Sequence, residues 1–247
     1  MSNQKHVAVV TGAASGIGKA TVLALARKGV HVCALDIDRE GGSRLEEHAE
    51  AKGSIEYFHV DLESRDSVLK AAAEVLAKHP NIDIIVNTAG WDRIQPFVDN
   101  TTEFIDKVLS INLIGPVLLT KALLPSMIAA NRGKIVNVAS DAGRVGSMGE
   151  TVYAAAKGGV IAFTKSLARE TSRYQVHVNC ICPGPTDTPL FHAQPDKLKE
   201  ALVKAIPFRR LAKPEETANA ILFFAGAESD YVTAQVLSVS GGLTMAG

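Results

Sequence analysis

Short runs rich in β-branched residues alternate with longer helical stretches along the chain. The runs HVAVVT, HVCALD, IEYFHV, IDIIVN, GKIVNVAS, VHVNCIC and QVLSVS occupy residues 6–11, 31–36, 55–60, 82–87, 133–140, 176–182 and 235–240. Apolar residues spaced by three and four predict helices between these runs, at 17–28, 65–79, 102–130, 152–173 and 214–226. Because such strands are joined by right-handed crossovers, this order predicts an α/β fold, with seven parallel strands in a doubly wound sheet and helices on both faces.

The domain organisation follows from the same alternation. No low-complexity linker or internal repeat interrupts it, so we expect one domain over residues 1–247. Residues 189–213 depart from the pattern, because a short predicted helix near 195–205 is edged by prolines and no strand follows it. Loops beyond the carboxyl ends of parallel strands form the ligand crevice in such folds, so we predict a substrate lid here. A peripheral packing helix is the alternative.

Charge and hydropathy favour a soluble protein with a small-molecule partner. Lys plus Arg and Asp plus Glu number 26 each, so nothing in the charge balance indicates nucleic acid. The N-terminal MSNQKHVAVV lacks the basic and apolar regions of a secretion signal. No later segment is predicted to span a bilayer, so we expect a cytoplasmic protein with no membrane partner.

The cysteines are predicted to be reduced core thiols. Cys33, Cys180 and Cys182 are odd in number and lie in apolar runs, which is typical of strands in a reducing compartment. Cys180 and Cys182 have no second pair of ligands nearby in sequence, so we predict no metal site.

A glycine loop follows the first predicted strand and opens the first predicted helix. In VVTGAASGIGKA, the glycines stand at Gly12, Gly16 and Gly18. The first suits a tight turn, the second allows a pyrophosphate to approach the main chain, and the third allows close packing of helix and strand. The helix N-terminus adds free N–H groups, so the loop predicts a Rossmann fold that binds a dinucleotide.

Two aspartates end the second and third predicted strands. Asp36 lies about 20 residues beyond the loop, where a carboxylate can accept hydrogen bonds from the adenosine ribose. A 2′-phosphate would meet a like charge there, so Asp36 favours NAD over NADP, although Arg39 is near enough to soften the repulsion. Asp61 has two readings: it contacts the adenine amino group, or it caps a helix.

Tyr153 and Lys157 occur in ETVYAAAKGG, four residues apart. Four residues are close to one helical turn, so both side chains leave the same helix face and can serve one site. The alternative is that Tyr153 packs in the core and Lys157 extends to solvent.

Several ordered motifs together resemble the short-chain dehydrogenase/reductase family, from residue 6 to the C-terminus. They are the glycine loop at 12–18, NTAG at 87–90, Asn112 in SIN, Ser140 in VAS, Tyr153 with Lys157, and PGPTDT at 183–188. The chain departs from the usual Asn-Asn-Ala-Gly of the family at Thr88.

The resemblance implies a catalytic role for four residues. Tyr153 would be the general acid/base, and Ser140 would hold the reacting oxygen. Lys157 would grip the nicotinamide ribose and make Tyr153 more acidic, and Asn112 would position a water in a relay to Lys157. To lower the pKa of a tyrosine from about 10 by about three units requires roughly 4 kcal/mol of preferential phenolate stabilisation. The alanines and glycines around Tyr153 would leave room for the cofactor.

The resemblance also implies a set of NAD-binding residues. They are Gly12, Ser15, Gly16, Ile17, Gly18, Asp36, Asp61, Leu62, Asn87, Ala89, Gly90, Tyr153, Lys157, Pro183, Gly184, Thr186 and Thr188.

The substrate is predicted from a narrower resemblance. NTAGWD, KAIPFRRLAKPEE and other stretches resemble the branch of the family that oxidises β-hydroxyacyl-CoA thioesters with NAD in anaerobic aromatic degradation. Trp91 would wall a ring pocket and Arg144 would meet a carboxylate or thioester oxygen, with core packing and a surface ion pair as alternatives. Five basic residues in the predicted lid, which could receive CoA phosphates or form a solvated face, are Lys197, Lys199, Lys204, Arg209 and Arg210.

Two other functions remain open at this point. One is an NADPH-dependent 3-oxoacyl carrier-protein reductase, which shares the same framework but is disfavoured by Asp36. The other is a non-catalytic NAD-binding subunit, since a fold does not dictate a function. The family resemblance implies a homotetramer through helices 102–130 and 152–173 and the C-terminal SGGLTMAG, with a heteromer as the alternative.

Overall fold

A computed structural model describes residues 6–47 and 53–245, and these residues form a seven-stranded parallel sheet. The strand order is β3-β2-β1-β4-β5-β6-β7, so the chain reverses its direction of winding between β1 and β4. This arrangement confirms the predicted fold class. The strands are β1 Val7–Thr11, β2 His31–Asp36, β3 Ser54–His59, β4 Ile84–Asn87, β5 Gly133–Val138, β6 Val176–Pro183 and β7 Val236–Val239.

Helices connect the strands and cover both faces of the sheet. The α-helices are α1 Gly16–Arg27, α2 Arg39–Glu47, α3 Arg65–Lys78, α4 Thr102–Leu109, α5 Gly115–Ala130, α6 Ala142–Val145, α7 Thr151–Thr171, α8 Pro189–His192, α9 Asp196–Ala205 and α10 Pro214–Ala225. Helix α2 was not predicted, because its sequence REGGSRLEE contains two glycines and lacks an apolar repeat; its buried residues are Gly42 and Leu45. The short helices α6 and α8 were not predicted either.

The predicted helix 102–130 is interrupted by a π-helical turn. Helices α4 and α5 are joined through Ser110–Ile114, which is wound as a π-helix. The whole stretch Thr102–Ala130 is long and apolar enough to cross a membrane by length and composition, so the expectation that no segment meets this test is wrong. Core helices of soluble proteins also meet it, and here the stretch packs against α3 and α7.

The two faces of the sheet build two apolar cores because side chains alternate along each strand. On β1, Val10 faces a cluster that includes Val22 and Ile221 from α1 and α10. The neighbouring Val9 faces the opposite cluster, which includes Leu119 and Leu123 from α5. Each fully buried side chain of this size contributes about 1.5–3 kcal/mol, so the cores hold the strand ends at fixed positions.

Cys33 lies in one of these cores, whereas Cys180 and Cys182 lie in a smaller buried cluster. Cys33, Cys180 and Cys182 are all buried and free. Cys180 and Cys182 pack with Ala139 and Val160, on a part of β6 that adjoins β5. This burial confirms the prediction of core thiols.

The segment 189–213 leaves the sheet and returns to it at one point. Thr186 pairs with Ala212 in an isolated parallel bridge, and the Asp187 N–H donates to the Ala212 carbonyl oxygen at 2.9 Å. Helix α9 spans Asp196–Ala205, close to the predicted 195–205. The segment is therefore a loop beyond the carboxyl end of β6 whose two ends are joined by backbone hydrogen bonds.

Candidate active site

The three glycines around the turn between β1 and α1 stand where a larger side chain would clash or strain the backbone. Gly12 and Gly16 have φ angles of 65° and 49°, which are left-handed values that favour glycine. A Cβ on Gly18 would lie 1.9 Å from the Gly12 carbonyl oxygen, and one on Gly12 would lie 2.8 Å from the Ala89 Cα. The three glycines therefore bring the turn, the start of α1 and the end of β4 into direct contact.

Asp36 is held rigidly at the carboxyl end of β2. Its Oδ2 accepts a hydrogen bond from the Ala14 N–H at 2.8 Å, and its Oδ1 accepts one from the Asp38 N–H at 2.9 Å. Because each carboxylate oxygen has more than one lone pair, both can still accept from a ligand. The glycine loop itself thus orients the Asp36 carboxylate.

Asp61 is not a helix-capping residue, so that alternative is wrong. Helix α3 is capped by Ser64, whose Oγ accepts from the Ser67 N–H. The Asp61 Oδ1 accepts from the Glu63 N–H at 2.9 Å in its own turn. Asp61 instead lines the cleft described next.

A cleft of about 750 Å³ runs from the glycine loop to the segment 189–213. It lies at the carboxyl ends of the strands, where the helices that follow the paired strands β1 and β4 go to opposite faces of the sheet and crevices of this fold form. The predicted site residues that line it are Gly12, Ser15, Gly16, Ile17, Gly18, Asp36, Asp61, Leu62, Ala89, Gly90, Trp91, Ser140, Tyr153, Lys157, Pro183, Gly184, Thr186 and Thr188.

Tyr153 and Ser140 meet in the cleft. Ser140 follows β5 and Tyr153 lies in the first turn of α7, and their hydroxyl groups are joined by a hydrogen bond. Burial raises the pKa of the Tyr153 phenol, and the charges of Glu150 and Asp92 raise it further, whereas the Ser140 hydrogen bond lowers it. In the chain by itself the phenol is therefore a weaker acid than free tyrosine.

Lys157 is almost fully buried beneath the Tyr153 ring. Its Nζ donates to the Val138 carbonyl oxygen at 2.9 Å and lies 5.6 Å from the centre of the Tyr153 ring. Burial lowers the pKa of the Lys157 ammonium to about 8. The expectation that Lys157 makes Tyr153 more acidic is thus not met in the chain alone, because removal of the phenol from water dominates.

Asn112 lies within the π-helical turn, fully buried behind the cleft rather than on its wall. Its Nδ2 donates to the carbonyl oxygens of Trp91 (2.7 Å) and Val108 (2.8 Å), and its Oδ1 accepts from the Trp91 N–H (3.2 Å). A Cβ on Gly90 would lie 3.1 Å from the Asn112 Oδ1 and 3.6 Å from the Lys157 Nζ. Asn112 therefore fixes the chain after β4, and Gly90 keeps the space between Asn112 and Lys157 open.

Asn87, which was predicted to contact the cofactor, is not among the residues that line the cleft. Its Nδ2 donates to Thr120 Oγ1 (3.1 Å) and Asn137 Oδ1 (2.8 Å), and Asn137 in turn donates to Thr164 (2.9 Å). The side chain thus links β4, β5, α5 and α7 below the site. Its Oδ1 is buried without a partner among the described residues, so the Nδ2 hydrogen bonds alone hold the amide in this orientation.

Arg144 also does not line the cleft, so the structure does not bring it to a substrate carboxylate there. It is partly buried on the short helix α6. Thr88, the departure from the usual family motif, donates its hydroxyl to the Thr11 carbonyl oxygen and thereby ties the ends of β4 and β1 together.

Trp91 both lines the cleft and packs in the core, the two alternatives that the sequence left open. It lines the cleft, and its ring packs 5.6 Å from the Phe104 ring. The Lys107 Nζ lies 4.7 Å from the centre of the indole and 3.6 Å from a Glu63 carboxylate oxygen. The indole is therefore a fixed wall of the cleft.

Four acidic residues of the cleft were missed from the sequence, namely Glu63, Asp92, Asp141 and Glu150. Asp92 and Glu150 both line it. Burial and the nearby Glu150 raise the pKa of Asp92 to about 6, against a lowering hydrogen bond from the Arg93 backbone. Burial likewise raises the pKa of Glu150. The available signal was positional, since Asp92 follows the end of β4 and Glu150 immediately precedes α7.

The basic residues of segment 189–213 are in part engaged in local pairs. Lys199 pairs with Asp196 at 2.8 Å, and Arg210 forms two hydrogen bonds to the Glu216 carboxylate at 2.6 and 2.7 Å. Arg209 donates to the Lys204 carbonyl oxygen. These contacts favour a solvated face over a dedicated phosphate receptor.

A histidine cluster lies outside the cleft, at the start of β2. His31, Cys33 and His79 place ligand-type atoms within 4.8 Å of one another. The His79 Nε2 lies 3.1 Å from the His31 Nε2 and 2.9 Å from Glu56, which also pairs with Lys78. The cluster is thus a hydrogen-bonded network that links β2, β3 and the end of α3.

Comparison with known proteins identifies similar chains over nearly the full length. The protein-family model described as "Enoyl-(Acyl carrier protein) reductase" matches residues 12–244. The chain is 41% identical to a 3-oxoacyl-(acyl-carrier-protein) reductase of Thermotoga maritima, covering 99% of this chain and 100% of that protein. It is 36% identical to the BbsD subunit of (2S)-((R)-hydroxy(phenyl)methyl)succinyl-CoA dehydrogenase of Thauera aromatica, covering 99% of both chains.

Two further similarities extend this comparison. A (3R)-3-hydroxyacyl-CoA dehydrogenase of Canis lupus familiaris is 34% identical, over 97% of this chain and 96% of that protein. Among solved structures, levodione reductase superposes with a TM-score of 0.90 at 28% identity, covering 96% of both chains.

Proposed function

The chain belongs to the short-chain dehydrogenase/reductase family, and from this premise we propose that it oxidises a β-hydroxyacyl-CoA to the β-oxoacyl-CoA with NAD. The observation that carries the proposal is the grouping at one end of the cleft, where the Tyr153 phenol hydrogen-bonds Ser140 above the buried Lys157. A phenol and a hydroxyl that converge on one point suit proton exchange with a secondary alcohol.

The residues around the glycine loop fit a nicotinamide dinucleotide. The space beside Gly12 and Gly16 is open to the cleft, and the N-terminus of α1 directs free N–H groups there. The Asp36 carboxylate can accept both ribose hydroxyls, which supports NAD over NADP. We assign Asp61 and Leu62 to the adenine, and Pro183, Gly184, Thr186 and Thr188 to the nicotinamide end. The bound cofactor supplies the hydride acceptor.

The protein's own part of the reaction is to hold the alcohol and move its proton. Ser140 donates to the reacting oxygen, and Tyr153, in its phenolate form, accepts the hydroxyl proton and becomes a neutral phenol. Lys157 holds the ribose and supplies positive charge beneath the phenol. A water between Asn112 and Lys157, in the space that Gly90 leaves open, would carry the proton onward. Because burial raises the pKa of Tyr153, formation of the phenolate that accepts this proton needs added positive charge at the nicotinamide end.

The choice of a CoA thioester draws on the relatives and on the cleft. Two of the similar proteins bear names of hydroxyacyl-CoA or substituted succinyl-CoA dehydrogenases. Trp91 walls the cleft and suits an alicyclic or aromatic acyl group. NTAGWD and KAIPFRRLAKPEE also resemble 2-hydroxycyclohexanecarboxyl-CoA dehydrogenase, which we propose as the nearest activity. Segment 189–213 would be the lid over this substrate.

Reduction of a 3-oxoacyl carrier-protein thioester with NADPH is the second candidate. The identity of 41% to the Thermotoga maritima reductase favours it. The fixed Asp36 carboxylate opposes it, because a 2′-phosphate would be placed against a negative charge. A third possibility, a non-catalytic NAD-binding subunit, is opposed by the complete set of Ser140, Tyr153 and Lys157.

We propose that the protein acts in the cytoplasm as a homotetramer, with a heteromer as the alternative. Only a third of the apolar window within Thr102–Ala130 is buried inside the subunit, which supports a helical interface with a second copy. Leu237 on the edge strand β7 and Phe223 on α10 are large apolar side chains that are more than 40% exposed, and they support a second interface. Residues 246–247 of the predicted C-terminal contact and residues 1–5 of the N-terminus examined for a signal lie outside the described residues.

Initial-rate assays test the proposal. Wild-type protein is assayed with NAD and with NADP on a β-hydroxyacyl-CoA and on the matching free hydroxy acid. We expect NAD to support faster turnover and the thioester to exceed the free acid in kcat/KM. Equal rates for thioester and free acid would contradict the CoA assignment, and a preference for NADPH with an oxoacyl carrier-protein thioester would favour the second candidate.

A further inference from the structure

Asp92 and Glu150 form an acidic subsite at the substrate end of the cleft. The two residues lie on different loops that are pinned together. The Gln95 N–H donates to the Gly149 carbonyl oxygen at 3.0 Å, and a Cβ on Gly149 would lie 2.7 Å from the Ile94 Cγ2. The carboxyl groups are close enough to the catalytic phenol that both raise its pKa. The acidic subsite therefore borders the reacting group of the substrate.

Asp92 is the unusual member of the acidic subsite. It is 8% exposed, yet its Oδ2 is buried without a hydrogen-bond partner among the described residues. A buried acceptor without a partner costs free energy, and more so when it is charged. Because the Asp92 side chain lines the cleft, a donor on a bound substrate can satisfy this oxygen.

The nearby cations have other partners. Arg93 donates from Nε to Gln95 at 2.9 Å and stacks over the Phe104 ring. Lys107 lies over Trp91 and pairs with Glu63, and Lys157 donates to the Val138 carbonyl oxygen. Within the described part of the chain, none of these three neutralises Asp92 or Glu150. The acidic subsite therefore presents unneutralised acceptors to the bound acyl thioester.

We propose that the acidic subsite binds a hydrogen-bond donor of the substrate beside the reacting carbinol and rejects acyl groups that carry a carboxylate there. The inference rests on the proposed function, since it concerns the same thioester. Two parts of the substrate have the required chemistry, namely a second hydroxyl on the acyl group and the amide N–H of the pantetheine arm. A succinyl-type carboxylate would meet two like charges, while Arg93, Lys107 and Lys157 are engaged with other partners.

The experiment uses full-length protein and pairs of thioesters that differ in one group. The first pair is the N-acetylcysteamine and S-butyl thioesters of one β-hydroxy acid, of which only the former has the amide N–H. The second pair is N-acetylcysteamine thioesters with and without a second acyl hydroxyl. The third pair is CoA thioesters with and without an acyl carboxylate. Each kcat/KM ratio is measured for wild type, Asp92→Asn and Asp92→Ala, with Asp99→Asn as the control, an exposed aspartate of the same loop.

We expect wild type to favour the donor-bearing member of the first or second pair by about tenfold or more, because a missing donor leaves the buried acceptor unpaired. The pair that shows this preference identifies which donor is bound. Asp92→Ala should reduce the preference to near unity, whereas Asp92→Asn, which keeps an acceptor oxygen, should retain part of it. Discrimination against the carboxylate should fall in both variants, and Asp99→Asn should behave as wild type.

Failure of this inference differs from failure of the proposed function. If wild type is active but shows no preference in either donor pair, or if Asp92→Ala leaves every ratio unchanged, the acidic subsite has no role in recognition. If wild type is inactive on all of the thioesters, the proposed function is wrong and the inference with it. Thermal unfolding of each variant establishes that changed ratios do not reflect loss of fold.

Discussion

The Lys157 ammonium donates a hydrogen bond to the Val138 carbonyl oxygen at 2.9 Å and lies 5.6 Å from the centre of the Tyr153 ring. Lys157 and Tyr153 nevertheless occupy the same face of α7. The end of β5, rather than the phenol, therefore fixes the position of the ammonium. Since the lysine is held in this place without help from a ligand, the charge beneath Tyr153 is preorganised for catalysis.

Tyr153→Phe should abolish most activity without disturbing the fold. The ring stays buried among Phe104, Val108 and Val152, and only the hydroxyl that hydrogen-bonds Ser140 is lost. General acid/base groups contribute about 10²- to 10⁴-fold, so we expect a loss of that order in kcat/KM. Steady-state assays measure the loss, and dinucleotide binding followed by fluorescence should be unchanged. Tyr231→Phe, at an exposed position, is the control, and unchanged turnover of Tyr153→Phe would support the non-catalytic reading.

Glu150→Gln should shift the pH dependence of alcohol oxidation towards lower pH. The groups that face the phenol are Glu150 and Asp92, which raise its pKa, Ser140, which lowers it, and the ammonium of Lys157. Removal of the Glu150 charge lowers the pKa of Tyr153, so more phenolate is present at a given pH, and oxidation near pH 7 should rise by roughly two- to tenfold.

The pH profile of kcat/KM for oxidation measures this shift. Glu103→Gln is the matched control, because Glu103 is also an acid at the start of a helix but is exposed outside the cleft. A profile of Glu150→Gln that coincides with that of the control would show that Glu150 has no influence on the proton-transfer group.

Asp92→Asn should become more stable than wild type as the pH rises. The carboxyl pKa is 3.8 ordinarily and about 6 in the folded protein, so between these values the folded state binds more protons than the unfolded state. The free energy of unfolding of wild type is therefore highest with respect to this carboxyl below about pH 4. It falls progressively up to about pH 6, by at most about 3 kcal/mol. Urea unfolding should show that the free energy of unfolding of Asp92→Asn, relative to wild type, is higher at pH 7 than at pH 4. For Asp99→Asn, the difference from wild type should be the same at both pH values.

Asp36→Ala should weaken the preference for NAD. The variant removes the acceptor for the ribose hydroxyls and the charge that repels a 2′-phosphate, so the KM for NAD should rise and that for NADP should fall. We expect the ratio of the two kcat/KM values to change by about tenfold or more in favour of NADP. Asp38→Ala is the control, because Asp38 is an exposed aspartate two residues further along the chain. An unchanged ratio would mean that Asp36 does not contact the ribose.

Gly18→Ala should disrupt the loop between β1 and α1. The added methyl group would lie 1.9 Å from the Gly12 carbonyl oxygen, a distance that backbone movement must relieve. We expect a destabilisation of about 1–3 kcal/mol together with loss of dinucleotide binding. Gly158→Ala offers a comparison on α7, because a Cβ there would have its nearest atom at 3.4 Å. Equal stability of the two variants would contradict the close-packing role of Gly18.

Much of the fold was predictable because local patterns and the sheet agree. The seven apolar runs coincide with the strands to within about two residues, and the central strands are buried by helices on both sides. Helix α2 was not predictable in this way, because contacts with β3 rather than an apolar repeat hold it. The π-helical turn was not predictable either, because a local change in helix type leaves the apolar content of 102–130 unchanged.

For the candidate site, the sequence spacing predicted which residues would come together. It did not predict the direction of their pKa shifts or the orientation of each side chain. Tyr153, Ser140 and Lys157 meet as expected from their positions on α7 and at the end of β5. The direction of the Tyr153 pKa shift depends on burial and on Asp92 and Glu150, which only the packed structure reveals. The inward turn of Asn87 likewise depends on Thr120 and Asn137 from other elements.

The π-helical turn at Ser110–Ile114 makes the length of this segment as consequential as its composition. An α-helix turns by about 100° per residue, whereas the wider π-helical turn absorbs one extra residue while the helices on either side keep nearly the same faces. Removal of one residue here would let the turn rewind as an α-helix with Leu119 and Leu123 still directed at the sheet, but it would displace the Asn112 amide from the chain after β4. The extra residue therefore serves the position of Asn112 rather than the packing of α5.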